Sequence, residues 1–318
     1  MTVRDVFIDR DRLRPIWRFL ISAVTIVVCV TALQIALGIV LGVAGRAPEF
    51  FTVNALSSLL TFPLLLGIVA ILTRNLDHRP PGTAGIALRG RWKQELGQGL
   101  VIGAAMILTV AALEWATGTA KFSWSGESMA PLILWGGGGF VVLVFAATNE
   151  EIVFRGYPFQ RLVESIGAAG AILFLSLLFG AIHLGNPNRT WVSAANTALV
   201  GIPFSIAYLR TRMLWLPIGM HFSWNFLQGF VLGLPVSGIS LPVSMLRAEA
   251  TGPAILTGGA YGPEAGLLAT GVIIISAGYL ALAPSVYISD DTRALVSDPP
   301  VPPMPESSEL SLDGPGAA

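Results

Sequence analysis

Eight apolar runs recur along the chain, at about 19–43, 53–73, 96–117, 139–163, 165–190, 191–209, 213–233 and 264–288, each near the ~20 residues that carry a helix across a bilayer. In lipid, a charge-poor run of that length must satisfy its own backbone, and a helix does so. Composition agrees. Of 318 residues, 53% are hydrophobic and only 12% charged, about half the charge of an ordinary soluble domain. The mean hydropathy is +0.71. Too few polar side chains remain to cover a water-facing globule. The expected fold is therefore all-α, a polytopic membrane helix bundle of about eight transmembrane helices.

Fifteen of the nineteen Lys and Arg fall in one alternate set of segments: Arg4 to Arg18, Arg74 to Lys93, Arg155 with Arg161, Arg210 with Arg212, and Arg293. The other set holds Arg46, Lys121, Arg189 and Arg247. Positive charge stays on the cytoplasmic side, so both termini are expected there, in a multi-pass cell-membrane protein. The first run is too long for a signal-peptide core and lacks a small-residue cleavage site, which makes it an uncleaved anchor. A net charge of zero excludes a basic nucleic-acid binder. The lone Cys29 excludes an intramolecular disulfide and a cysteine metal site. The expected organisation is a cytoplasmic segment 1–18, N-terminal transmembrane helices and an interfacial loop over 19–134, a second membrane domain over 135–290, and a disordered tail 291–318 rich in Pro, Ser and acids. Within 76–95 the sequence suggests a turn followed by a short interfacial helix.

An ionisable side chain at mid-bilayer costs roughly 2.5–3.5 kcal/mol, so the polar groups inside the runs are the informative ones. Three clusters stand out: Asn149-Glu150-Glu151 with Arg155, Phe179 with His183, and His221 with Asn225. Adjacent carboxylates point about 100° apart on a helix. Glu151 can therefore pair with Arg155 at i, i+4, while Glu150 looks elsewhere, into a cavity. His221 and Asn225 share one helical face, one turn apart. Each cluster alone has a bland explanation: a helix end at the headgroups, a core histidine bonded to a carbonyl, an interhelical hydrogen bond. Together they hold the parts of a hydrolytic site, namely a carboxylate base, two imidazoles and an amide donor for an oxyanion. A fourth span at 131–153 would leave Glu150 and His183 about 20 Å or more apart, so the span is placed at 139–163, with the run Gly136 to Gly139 as its start.

The pattern E-E-x-x-x-R (Glu150, Glu151, Arg155), F-x-x-x-H (Phe179, His183) and H-x-x-x-N (His221, Asn225), in order on three apolar helices, resembles the CPBP family. These are the CAAX proteases and bacteriocin-processing (Abi) enzymes, similar to the type II CAAX prenyl endopeptidase. The resemblance covers about 135–235, with a fainter extension to TGGAYGPEAG. It implies an intramembrane endopeptidase acting on a peptide or protein substrate, lipid-modified in some members, within the bilayer and without nucleic acid. By the same resemblance Glu150 is the general base, assisted by His183. Glu151 and Arg155 support the site, and His221 with Asn225 stabilises the oxyanion.

The family is often labelled a metalloprotease, and Glu150, His183 and His221 could hold a Zn2+. The same residues also suit a metal-free base-and-oxyanion mechanism, the reading preferred here, and no H-E-x-x-H pair is present. Two other classes stay open. Intramembrane Glu and His also mark proton-coupled transporters, although no internal repeat is visible. A non-enzymatic scaffold or immunity protein could retain the same fold. Glu114 and Glu264 are taken as helix-end or packing residues.

Overall fold

The computed structural model describes residues 6–9, 12–43 and 50–297. Among them are eight apolar helices, α1 (Pro15–Val43), α2 (Phe50–Leu76), α3 (Trp92–Ala116), α4 (Met129–Arg155), α5 (Tyr157–Ile182), α6 (Trp191–Thr211), α7 (Trp215–Phe226) and α8 (Leu267–Leu282). Their outward faces carry apolar side chains: Val24, Val28, Ile35 and Ile39 of α1 are all more than half exposed. In water such a face would be an aggregation surface; in a bilayer it is solvated by acyl chains. By length and apolarity, five segments among the described residues can each cross a membrane. They are Pro15–Val43, Thr52–Leu76, Trp92–Ala116, Met129–Gly185, which contains both α4 and α5, and Trp191–Thr211. The molecule is an all-α polytopic membrane bundle.

Without a hydrophobic drive between helices, close backbone approach holds such a bundle together. Gly99 and Gly103, spaced G-x-x-x-G on α3, lie against α7. A Cβ on Gly103 would stand 2.1 Å from the Met220 carbonyl oxygen, and one on Gly99 would stand 2.2 Å from that of Leu216. Gly219 answers from α7, where a Cβ would meet the Leu96 carbonyl oxygen at 2.5 Å. The α5–α6 contact uses the same device at Gly180 and Gly201. At the other end of α5, a buried charge cluster ties Arg18 of α1 and Arg161 of α5 to Asp77, at 2.5 and 3.4 Å.

Several expectations are corrected. The fourth span does not run 139–163: α4 starts at Met129, passes through the glycine run and ends at Arg155. A membrane helix tolerates glycine because its backbone still bonds within the segment, so the run Gly136 to Gly139 lies inside α4 instead of starting it. The separation of about 20 Å expected of a span at 131–153 does not arise either, since Glu150 Oε2 and His183 Nε2 lie 3.9 Å apart. Gly167, with φ 79° and ψ 164°, breaks α5 in two, so its 26 residues do not form one straight rod of about 39 Å. Residues 157–166 and 168–182 take different directions, and the second half returns to the level of Glu150. The expected interfacial helix within 76–95 is instead a 3-10 turn, Pro81–Ala84, followed by the first turn of α3. The Gly- and Pro-rich stretch after α7 contains a strand, β2 (Leu246–Ala250), antiparallel to β1 (Ala120–Trp124). Inside the expected tail, residues 291–296 belong to a short helix, α9 (Asp290–Val296), capped by Ser289; 298–318 lie outside the described residues.

Candidate active site

Helix α4 presents its two carboxylates in different directions, as their spacing requires. Glu151 is fully buried, and its Oε1 accepts from Arg155 Nη1 at 3.3 Å and lies 2.8 Å from Nδ1 of His221. Arg155, also buried, donates from Nη2 to the Gly201 carbonyl at 3.4 Å, and its guanidinium lies 4.7 Å from the Phe179 ring centroid. Glu150 is half-buried and faces a cavity of about 320 Å3. Its Oε2 lies 3.9 Å from Nε2 of His183 and 3.7 Å from Nε2 of His221.

The two imidazoles arrive from different helices, and each is fixed through Nδ1. His183, just past the end of α5, places Nδ1 2.7 Å from the carbonyl of Phe179, one turn back. A carbonyl only accepts, so Nδ1 donates to it and Nε2 is left facing Glu150. The Phe179 ring packs edge-on against His183, 4.5 Å between centroids. One phenylalanine thus supplies both the backbone acceptor and the wall. His221 sits on α7, stacked on Phe204 at 5.2 Å, with the Glu151 carboxylate on its Nδ1. Its Nε2 is likewise left facing Glu150. Asn225, one turn on, lines the same cavity. The structure therefore gathers all six candidates, Glu150, Glu151, Arg155, His183, His221 and Asn225, from three elements.

Two ring nitrogens and a carboxylate are donors of the kind zinc accepts, but their spacing does not fit the ion. Among the described residues no group of three or more His, Cys, Asp or Glu stands close enough to hold a metal. Separations of 3.7 and 3.9 Å also exceed the about 3.4 Å expected between two donors on tetrahedral zinc.

Sequence reasoning missed several contributors. Helix α7 continues into a π turn, Leu227–Val231, that brings in Gln228. A second, smaller cavity of about 50 Å3 shares His183, His221, Asn225 and Ser237 with the first and is also lined by Glu264. Glu264 lies in a 3-10 turn ahead of α8, not inside the expected span 264–288. Its proximity to the histidines follows from loop folding, and only an acid amid glycines, PEAG, marks it in the sequence. Glu114 is fully buried on α3 and lines neither cavity. A third cavity of about 460 Å3 between α1, α2 and α4, lined by apolar side chains such as Ile26, Val30 and Leu65 and by the polar Thr31, Gln34, Ser57 and Thr61, also reaches Glu150.

The family model described as Type II CAAX prenyl endopeptidase Rce1-like matches residues 131–227, the stretch that holds all three clusters. Among curated proteins, "Putative membrane peptidase YdiL" of Bacillus subtilis (strain 168) is 33% identical over 76 residues. That alignment spans 24% of this chain and 29% of the relative's length. No solved structure matches the chain.

Proposed function

We propose that this chain, a member of the CPBP/CAAX protease family, is a membrane-embedded endopeptidase whose base is Glu150. The observation that carries the reading is the convergence of Glu150 Oε2 with Nε2 of both His183 and His221, at 3.9 and 3.7 Å. Separations of 3.7 and 3.9 Å are too long for direct hydrogen bonds, and a bridging water is the simplest group to join the carboxylate to the two ring nitrogens. Glu150 takes a proton from that water while its oxygen attacks the scissile carbonyl carbon. The carbonyl oxygen, now an oxyanion, accepts from the Asn225 amide and from an Nε2–H of His221, whose Nδ1 is held by Glu151. On collapse the carbon–nitrogen bond breaks, and the proton on Glu150 passes to the leaving nitrogen. His183 holds the water beside Glu150. Glu151 and Arg155 act by orienting His221.

The substrate we infer is a peptide attached to the membrane by a lipid, such as a prenylated C-terminus. Supporting this, the cavity between α1, α2 and α4, whose wall includes Ile26, Val27, Val30, Leu65 and Val153, meets the histidine-lined one at Glu150, so an acyl or prenyl chain and a peptide bond can be held side by side. The catalytic membrane domain is assigned to 135–290 and the preceding helices, 19–134, to substrate access. Both termini are placed on the cytoplasmic side by the distribution of Lys and Arg. Comparing membrane proteomes of cells carrying the wild type and Glu150→Ala tests the assignment. Intact precursors should accumulate only with the variant. Identical termini in both would end the endopeptidase reading.

A further inference from the structure

We propose that Glu264 is a positioning residue of the site, holding the turn that carries His183 through Ser237 and Asn186. The inference deepens the proposed endopeptidase reading and rests on it. Each link is a hydrogen bond. The Ser237 backbone N–H donates to Glu264 Oε1 at 3.1 Å, and the Ser237 hydroxyl lies 3.4 Å from the same oxygen. From the π turn of α7, Gln228 Nε2 donates to Glu264 Oε2 at 2.6 Å and also to the Pro235 carbonyl. The Ser237 carbonyl accepts from Asn186 Nδ2 at 3.2 Å, and the Asn186 N–H closes on the His183 carbonyl at 3.0 Å. A chain of polar contacts thus runs from the carboxylate to the turn His183–Gly185.

Backbone conformation says the same. Ser237 has φ 48°, in the left-handed region that a serine occupies only when its surroundings insist. Glu264 supplies part of that insistence by accepting the Ser237 N–H. Next to it, Gly238 has φ 87°, and a Cβ there would lie 2.0 Å from the Pro187 carbonyl oxygen. The turn after α5 is therefore pressed directly onto 237–238. Asn196 of α6 anchors the far side, donating to the Glu264 carbonyl at 2.8 Å. A residue that only closed a loop would not need bonds to α7, to α6 and toward the His183 turn.

The chain has three histidines, so a protein with labelled histidine in nanodiscs gives one imidazole resonance set for each of His78, His183 and His221. We expect Glu264→Ala and Asn186→Ala each to shift the His183 set while leaving His78 in place. On an internally quenched, prenylated peptide both should lower kcat about 10- to 100-fold with KM within twofold, as loss of an orienting partner does. The double variant should be no slower than the worse single variant, because both act along one chain of bonds. Glu264→Gln keeps an acceptor for the Ser237 N–H and should recover much of the loss; it also stands in should Glu264→Ala fail to fold. An unshifted His183 in folded Glu264→Ala, or multiplicative losses in the double variant, overturns the proposal. Should the wild type cleave nothing, the endopeptidase reading fails and the resonances still decide the role of Glu264.

Discussion

Glu151 Oε1 stands 2.8 Å from Nδ1 of His221, and both residues are buried. The same oxygen takes Arg155 at 3.3 Å, so one carboxylate balances a guanidinium and orients an imidazole. Removing it strands Arg155 in the bundle interior, a change that costs on the order of 3–5 kcal/mol. We expect Glu151→Ala to unfold at markedly lower temperature in detergent than the wild type. Glu151→Gln, which keeps an acceptor, should melt closer to the wild type yet lose most cleavage. Equal melting temperatures for all three would contradict the pairing.

Glu150 behaves oppositely because it is half-buried and makes no close pair. Replacing it with Gln should leave melting nearly unchanged while kcat/KM falls by about 10²–10⁴, the usual contribution of a general base. His183→Ala should do the same. A folded Glu150→Gln that cleaves at the wild-type rate would remove Glu150 from the mechanism.

The α3–α7 contact should reach the chemistry from a distance. Gly103 faces the carbonyl of Met220, the residue before His221, and a Cβ there would lie 2.1 Å from that oxygen. Gly103→Leu must push α7 outward, at a packing cost of about 1–3 kcal/mol or more. Cleavage should fall by far more than stability, while Gly97→Leu, where nothing stands within 4 Å, should be silent in both assays.

Metal removal gives a direct check on the donor spacing around Glu150. Exhaustive chelation, followed by dialysis, should leave the cleavage rate unchanged. Loss of activity that added zinc restores would show that the histidines close onto an ion and would replace the mechanism given above.

Stability should carry a pH signature from Glu264. Burial pushes its carboxyl up from 4.5 to about 7, against the opposing donors Gln228 and Ser237. The titratable groups around it are His183 and His221 across the small cavity and Tyr261 on its own loop; α6 and α8 present only neutral side chains there. The folded state then binds the proton more tightly than the unfolded one. This contribution is full below about 4.5, fades as pH rises to about 7 and is flat above. Melting curves of wild type and Glu264→Gln between pH 4 and 8 should diverge in that window, the wild type losing stability relative to the variant as pH rises. Parallel curves would contradict it.

Much of this was legible in the residues. Each of the eight apolar runs has a counterpart helix, because a bilayer leaves a long charge-poor segment no other way to satisfy its backbone. The split between Glu150 and Glu151 follows from helical geometry alone, and so does the placing of Arg155 beside Glu151. What periodicity does not contain is where a helix bends. The obstacle of about 20 Å between Glu150 and His183 belonged to a fourth span at 131–153, and the break at Gly167, a glycine with positive φ, removes it by turning the two halves of 157–182 in different directions.

The local code, then, determined the membrane class, the helices and the order of the polar clusters, since these depend on neighbours within a few turns. Tertiary structure alone decided that two imidazoles meet one carboxylate, that the strand at Leu246–Ala250 finds Ala120–Trp124, and that Glu264 reaches the turn of His183. Those contacts join residues dozens of positions apart. They are fixed by which small residues let backbones touch and which buried polar groups must find partners, and neither condition is written in any one segment.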